Sequence, residues 1–97
     1  MEKSSYVCIL ASGVNGTLYV SVTSNLVKRV WEHREGLADG FSKQYGVKSL
    51  VWYEVHTDIT EAIRREKQIK KWNRIWKVEL IQKANPRWLD LYADITA

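Results

Sequence analysis

Two stretches, Tyr6 to Ser12 and Thr17 to Thr23, are dense in β-branched and aromatic residues, and Asn15-Gly16 stands between them. Such residues suit a pleated, half-buried surface, and Asn-Gly is a strong hairpin signal because both residues tolerate positive φ. With Asn15 and Gly16 as the central turn pair, Val14 opposes Thr17, Leu10 opposes Ser21 and Cys8 opposes Thr23. Val7, Ile9 and Ala11 then share an apolar face with Leu18, Val20 and Val22. Tyr6, Cys8 and Leu10 share the other, mixed face with Tyr19, Ser21 and Thr23.

Beyond the hairpin the apolar period changes from strand-like to helical. Ser24 is a good N-cap, Leu26, Val27, Val30 and Trp31 recur at helical spacing, and Gly36 fits a C′ stop, which predicts a helix from about Asn25 to Glu35. Gly36 to Gly46, with its glycines, reads as an exposed, mobile loop, and Val47 to His56 as a third strand. Asp58 with Glu61 resembles a capping box opening a helical pattern that reaches Lys83, with a break expected near Asn73. Asn85-Pro86 reads as an N-cap and N1 proline opening a short helix through Tyr92. The expected fold is α+β, in the order ββαβαα: a small three-stranded antiparallel sheet with flanking helices, as one domain over residues 1–97.

Composition narrows the class. Ninety-seven residues with 45% hydrophobic and 27% charged can fill one core, which excludes a disordered chain. The longest apolar run, Tyr6 to Ala11, is too short for a membrane span and lacks the flanks of a secretory signal, so a cytoplasmic location without membrane contact is expected. One cysteine and two histidines leave no internal disulfide and no zinc-ligand cluster. The net charge of +4 is compatible with a polyanionic partner.

Several residues break the pattern. Glu66 projects into the apolar stripe of Ile59, Ala62, Ile63 and Ile69, where an uncompensated carboxylate is costly; either a buried ion pair or a bound cation satisfies it. Arg29 and His33, four apart, either cover the core edge or face one pocket. Cys8 and Tyr19, on the mixed face, are core residues or line that pocket. Arg64, Arg65, Lys67, Lys70 and Lys71 form a basic run, continued by Arg74 and Lys77, that is a solvated helix face or a phosphate-attracting one. Trp72 and Trp76 interleave with this run and are expected to pack inward.

Tyr6-Val7-Cys8 and Tyr19-Val20-Ser21 resemble the two tripeptides that name the GIY-YIG nuclease superfamily. With Arg65-Glu66-Lys67-Gln68-Ile69-Lys70-Lys71-Trp72 and Asn85-Pro86-Arg87-Trp88, nearly the whole chain is similar to the small stand-alone bacterial members. The resemblance implies endonuclease-like hydrolysis of nucleic-acid phosphodiesters, with DNA the expected polymer and one Mg2+ or other divalent ion as cofactor. It makes Arg29 the catalytic arginine, His33 an active-site histidine, Tyr19 the second motif's tyrosine and Glu66 the metal-binding glutamate, with Asn85 near a further active-site asparagine. The basic run Arg64, Arg65, Lys67, Lys70 and Lys71 is expected to hold the substrate.

Two departures stand out. Cys8 occupies the position of the first tyrosine, where its thiol is a shorter, conceivable base, and Ser21 replaces a glycine that keeps the backbone clear. They keep open a catalytically impaired DNA- or RNA-binding module. The chain is too short for the separate targeting domain of larger members, so strong sequence specificity is not expected.

Overall fold

The computed structural model describes residues 4–37 and 40–97. Along the chain run β1 (Ser5–Ala11), β2 (Leu18–Thr23), α1 (Leu26–Arg34), α2 (Gly40–Tyr45), β3 (Ser49–His56), α3 (Ile59–Lys71), α4 (Arg74–Ala84) and α5 (Tyr92–Thr96). The sheet is antiparallel with the order β2-β1-β3, so β1 is central and β2 is an edge. The α+β class and the sheet match the sequence expectation; α2 is added within the segment read as a loop.

The hairpin pairs Cys8 with Ser21 and Ile9 with Val20, two residues away from the expected register. Ser12, not Val14, closes the turn: its N–H donates to Thr17 O at 3.0 Å and its Oγ accepts from Thr17 N–H at 2.9 Å. Gly16 N–H then donates to Gly13 O at 3.0 Å, and Asn15 takes a φ of 56°. Side chains alternate with a period of two, so this two-residue shift leaves every residue on its expected face.

Both faces are core. Val7, Ile9, Ala11 and Val20 pack with Ala62 and Ile69 of α3 and Ile81 of α4. On the face expected to be mixed, Cys8 and Leu10 pack with Leu26 and Val30 of α1, Val47 and Leu50. A bulge opposite Ile9 and Leu10 inserts Val51 between their partners Trp52 and Leu50, which sends Val51 and Trp52 together to the α3 side.

Helix ends differ in detail from the sequence reading. Asn25 rather than Ser24 caps α1, accepting from Lys28 N–H at 3.1 Å, and Gly36 at φ 72° ends it. Asp58 caps α3 through Thr60 N–H at 2.9 Å, but Glu61 pairs with Arg64 instead of closing a capping box. The break falls as expected: Trp72 is extended, and Asn73 starts α4 by accepting from Trp76 N–H at 2.9 Å. The outward residues of two apolar stripes are exposed, namely Val27 and Trp31 on α1 and Ile59 and Ile63 on α3.

The helix expected from Asn85 does not form. Asn85 ends α4, Trp88 N–H donates to Asn85 O at 3.0 Å, and Trp88 adopts a φ of 56°. The Asn85 side chain is held by Val51 and Leu89 backbone and cannot cap a new helix; the last helix begins at Tyr92. No helix among the described residues is long and apolar enough to cross a membrane.

α3 runs along β2 in the opposite direction. Its start lies with the far end of β2, where Val22, Thr23, Thr57, Asp58 and Ile59 line one cavity. Beyond its end, Arg74 donates to Asn15 O at 2.7 Å and Gly16 O at 2.8 Å in the hairpin turn.

Candidate functional site

The alternation of β1 and β2 and one helical turn of α1 bring five of the expected positions to one side of the sheet. Cys8 and Ser21 face each other across the strands, and Arg29 Nε donates to Ser21 Oγ at 3.2 Å. One turn further along α1, His33 meets the Tyr19 ring with centroids 5.1 Å apart and planes tilted by 53°. Arg29 Nη1 is also 3.9 Å from Glu32 Oε1, a loose contact that leaves its planar fork able to engage a phosphate. Ser21, expected to hinder a substrate, is buried and orients the arginine. A serine in a strand gives no sequence signal for that role.

Cys8 is fully buried among apolar side chains. Burial pushes its thiol up to about 12, against the opposing pull of the Arg29 charge. The thiol therefore stays protonated at neutral pH, which overturns its reading as a base. Above its ordinary value of 9.0 the unfolded chain releases this proton while the folded chain holds it until about 12. The unfolded state then binds fewer protons, so stability from this group falls with rising pH by at most about 1.4 kcal/mol per unit. We expect the melting-temperature difference between the natural chain and Cys8→Ala to shrink from pH 8.5 to 11. A difference that stays flat would show that the thiol ionises alike in both states.

Glu66 lies on the other side of the sheet. Ala62 and Ile69, a turn to either side of it on α3, pack on Val7, Ile9 and Val20, and the Glu66 side chain is 13% exposed. Its ion-pair partner is the more exposed Lys70, with Nζ 3.2 Å from Oε2. α3 runs antiparallel to β2, and Ser21 of that strand holds Arg29. Carboxylate and guanidinium thus lie on opposite sides of the sheet. No group of three or more His, Cys, Asp or Glu suited to a metal occurs among the described residues. The donors present fit a hard cation held through one carboxylate and completed by water and phosphate oxygens, a mode common for magnesium.

The basic run divides by partner. Arg64 pairs with Glu61, Arg65 with Glu54 at 3.1 Å and Lys70 with Glu66, whereas Lys67 and Lys71 have no ion pair among the described residues. Asn85 stands apart: it is buried behind β3 with both polar atoms on backbone groups.

Comparison with known proteins gives the family. The chain is 37% identical to a UPF0213 protein of Syntrophus aciditrophicus over 87% of its own length and 95% of the relative's. It is 28% identical to a UPF0213 protein of Bacillus cereus over 89% and 90% of the two chains. These names state no activity. The solution structure of the UPF0213 protein BH0048 from Bacillus halodurans shares the fold, with a TM-score of 0.56 at 24% identity over 90% of this chain and 92% of that one. The model of the GIY-YIG catalytic domain matches residues 4–79, so the chain, with its paired motif strands and α1 arginine, belongs to the GIY-YIG nuclease family.

Proposed function

We propose that this protein is a divalent-metal-dependent endonuclease that hydrolyses nucleic-acid phosphodiesters, DNA being the expected substrate, and that it works in the cytoplasm as one domain. The observation that carries the reading is Arg29, fixed by Ser21 on the edge strand β2 on the same side of the sheet as Tyr19 and His33. A phosphate along that edge meets the guanidinium, which neutralises charge as the phosphorus is attacked. Tyr19, backed by His33, orients the attacking water. Glu66 would hold the metal by exchanging Lys70 for it, and Lys67 and Lys71 draw in the polyanion. When bound, the ion stabilises the charge of the leaving oxygen.

One observation favours a second reading, a nucleic-acid-binding module with impaired catalysis. The position of the first motif's tyrosine holds a buried, protonated thiol that cannot orient water. The deciding experiment incubates labelled single-stranded, duplex and branched DNA with magnesium, with and without a chelator. Cutting that the chelator stops is the expected result. Binding that falls steeply with salt, without cutting, establishes the second reading, and the absence of both overturns each.

A further inference from the structure

The break between α3 and α4 leaves Trp72 half-buried against the core, as expected from sequence, and brings Trp76 to the surface, contrary to the inward packing expected for it. Trp72 and Trp76 meet edge to face with centroids 6.1 Å apart, and Trp76 is 54% exposed. They wall a groove of about 610 Å³ whose other side is Arg64, Lys67, Gln68 and Lys71. These four fall on one stripe of α3, since residues three and four apart are neighbours on a helix. Arg65 already stacks over Trp72 with its guanidinium carbon 5.3 Å from the ring centroid, which steadies that ring and leaves Trp76 as the open one.

An open indole beside two unpaired ammonium groups has a specific chemical complement. Every nucleobase offers an apolar π-face, and every linkage between nucleotides a negative charge. In a duplex the faces are covered by neighbouring bases, so only unpaired nucleotides present both. Lys67 and Lys71, without ion pairs among the described residues, are available to phosphates on either side of a stacked base.

We propose that this groove binds unpaired nucleotides, one base stacking on Trp76 and the flanking phosphates meeting Lys67 and Lys71. The protein therefore prefers single-stranded or branched nucleic acid to blunt duplex. This rests on the nucleic-acid reading above but requires neither Glu66 nor cleavage.

The test titrates the full chain with a labelled single-stranded oligonucleotide and with a blunt duplex of the same sequence, without metal. Trp76→Ala is expected to weaken single-strand binding by about 5- to 150-fold, the worth of one base stack, with duplex affinity unchanged. Trp76→Phe recovers most of the loss, and both variants keep the parent's melting temperature because the site is exposed. Lys67→Ala combined with Lys71→Ala lowers the slope of log affinity against log salt by about 1.4 on single strands, the share of two phosphate contacts.

Unchanged single-strand affinity in Trp76→Ala, or an equal loss on both ligands, overturns the groove even if the protein cuts DNA. Conversion of a dimer to a monomer by Trp76→Ala in sedimentation also overturns it, by making the groove a self-association surface. Selective loss of single-strand binding in a protein that never cuts upholds the groove while the nuclease reading falls. Failure of the natural chain to bind either ligand overturns the groove, and, if it also cuts nothing with magnesium, the nuclease reading as well.

Discussion

Glu66→Gln is expected to reduce magnesium-dependent cleavage by at least about a thousandfold while leaving the fold and nucleic-acid binding in place. The size follows from the several kcal/mol of charge stabilisation that a bound divalent ion supplies to phosphoryl chemistry, at about 1.4 kcal/mol per tenfold in rate. Glutamine keeps the shape of the side chain and removes the charge that holds a hard cation. Stability has little to lose, because the partner Lys70 is half exposed and such pairs one helical turn apart contribute only about 0.3–0.5 kcal/mol. A melting temperature within about 4 °C of the parent is therefore expected. Nucleic-acid affinity holds or rises, since a negative charge leaves the phosphate's path. Full cleavage by Glu66→Gln, or a collapse of the fold, would make Glu66 a structural ion-pair residue and remove the metal from the proposed mechanism.

That prediction was legible early because Glu66 breaks an apolar stripe, and a residue that contradicts its own helix needs a cause outside it. What sequence could not supply was its place relative to Arg29. The period of two assigned Cys8, Tyr19 and Ser21 to one face even with the hairpin register two residues out, since parity survives that shift. Which helix covers which face depends on connections after the strands, and α3 covers the face opposite α1. Local chemistry was readable where it acts over three residues, as in the Asn73 cap that breaks the long helical pattern. It misled where distant groups compete. Cys8 is kept neutral by residues from α1 and β3 packed around it, and Ser21 by itself gives no hint of Arg29.

Asn85 shows such competition at its strongest, and Asn85→Ala is expected to lower stability by about 2–4 kcal/mol. Its Nδ2 donates to Val51 O at 3.0 Å and Leu89 O at 2.9 Å, and its Oδ1 accepts from Leu89 N–H at 3.0 Å, with the residue only 5% exposed. Val51 is the bulged residue, left out of the ladder with β1, and Asn85 supplies the partner its carbonyl lacks. Alanine strips all three backbone groups of that partner where water has little access, and leaving each unmade costs about 1 kcal/mol or more. In a domain of this size the melting temperature should drop by more than about 10 °C. Asn85→Asp should fall at least as far, because it keeps the acceptor for Leu89 but turns a carboxylate toward two carbonyls. Cleavage measured well below the transition should stay within a few-fold of the parent, since a side chain held at both ends has no polar atom to offer a phosphate. An asparagine acting in catalysis predicts the reverse, a nearly unchanged melting curve with a large loss of rate, so the two measurements on one variant separate the roles.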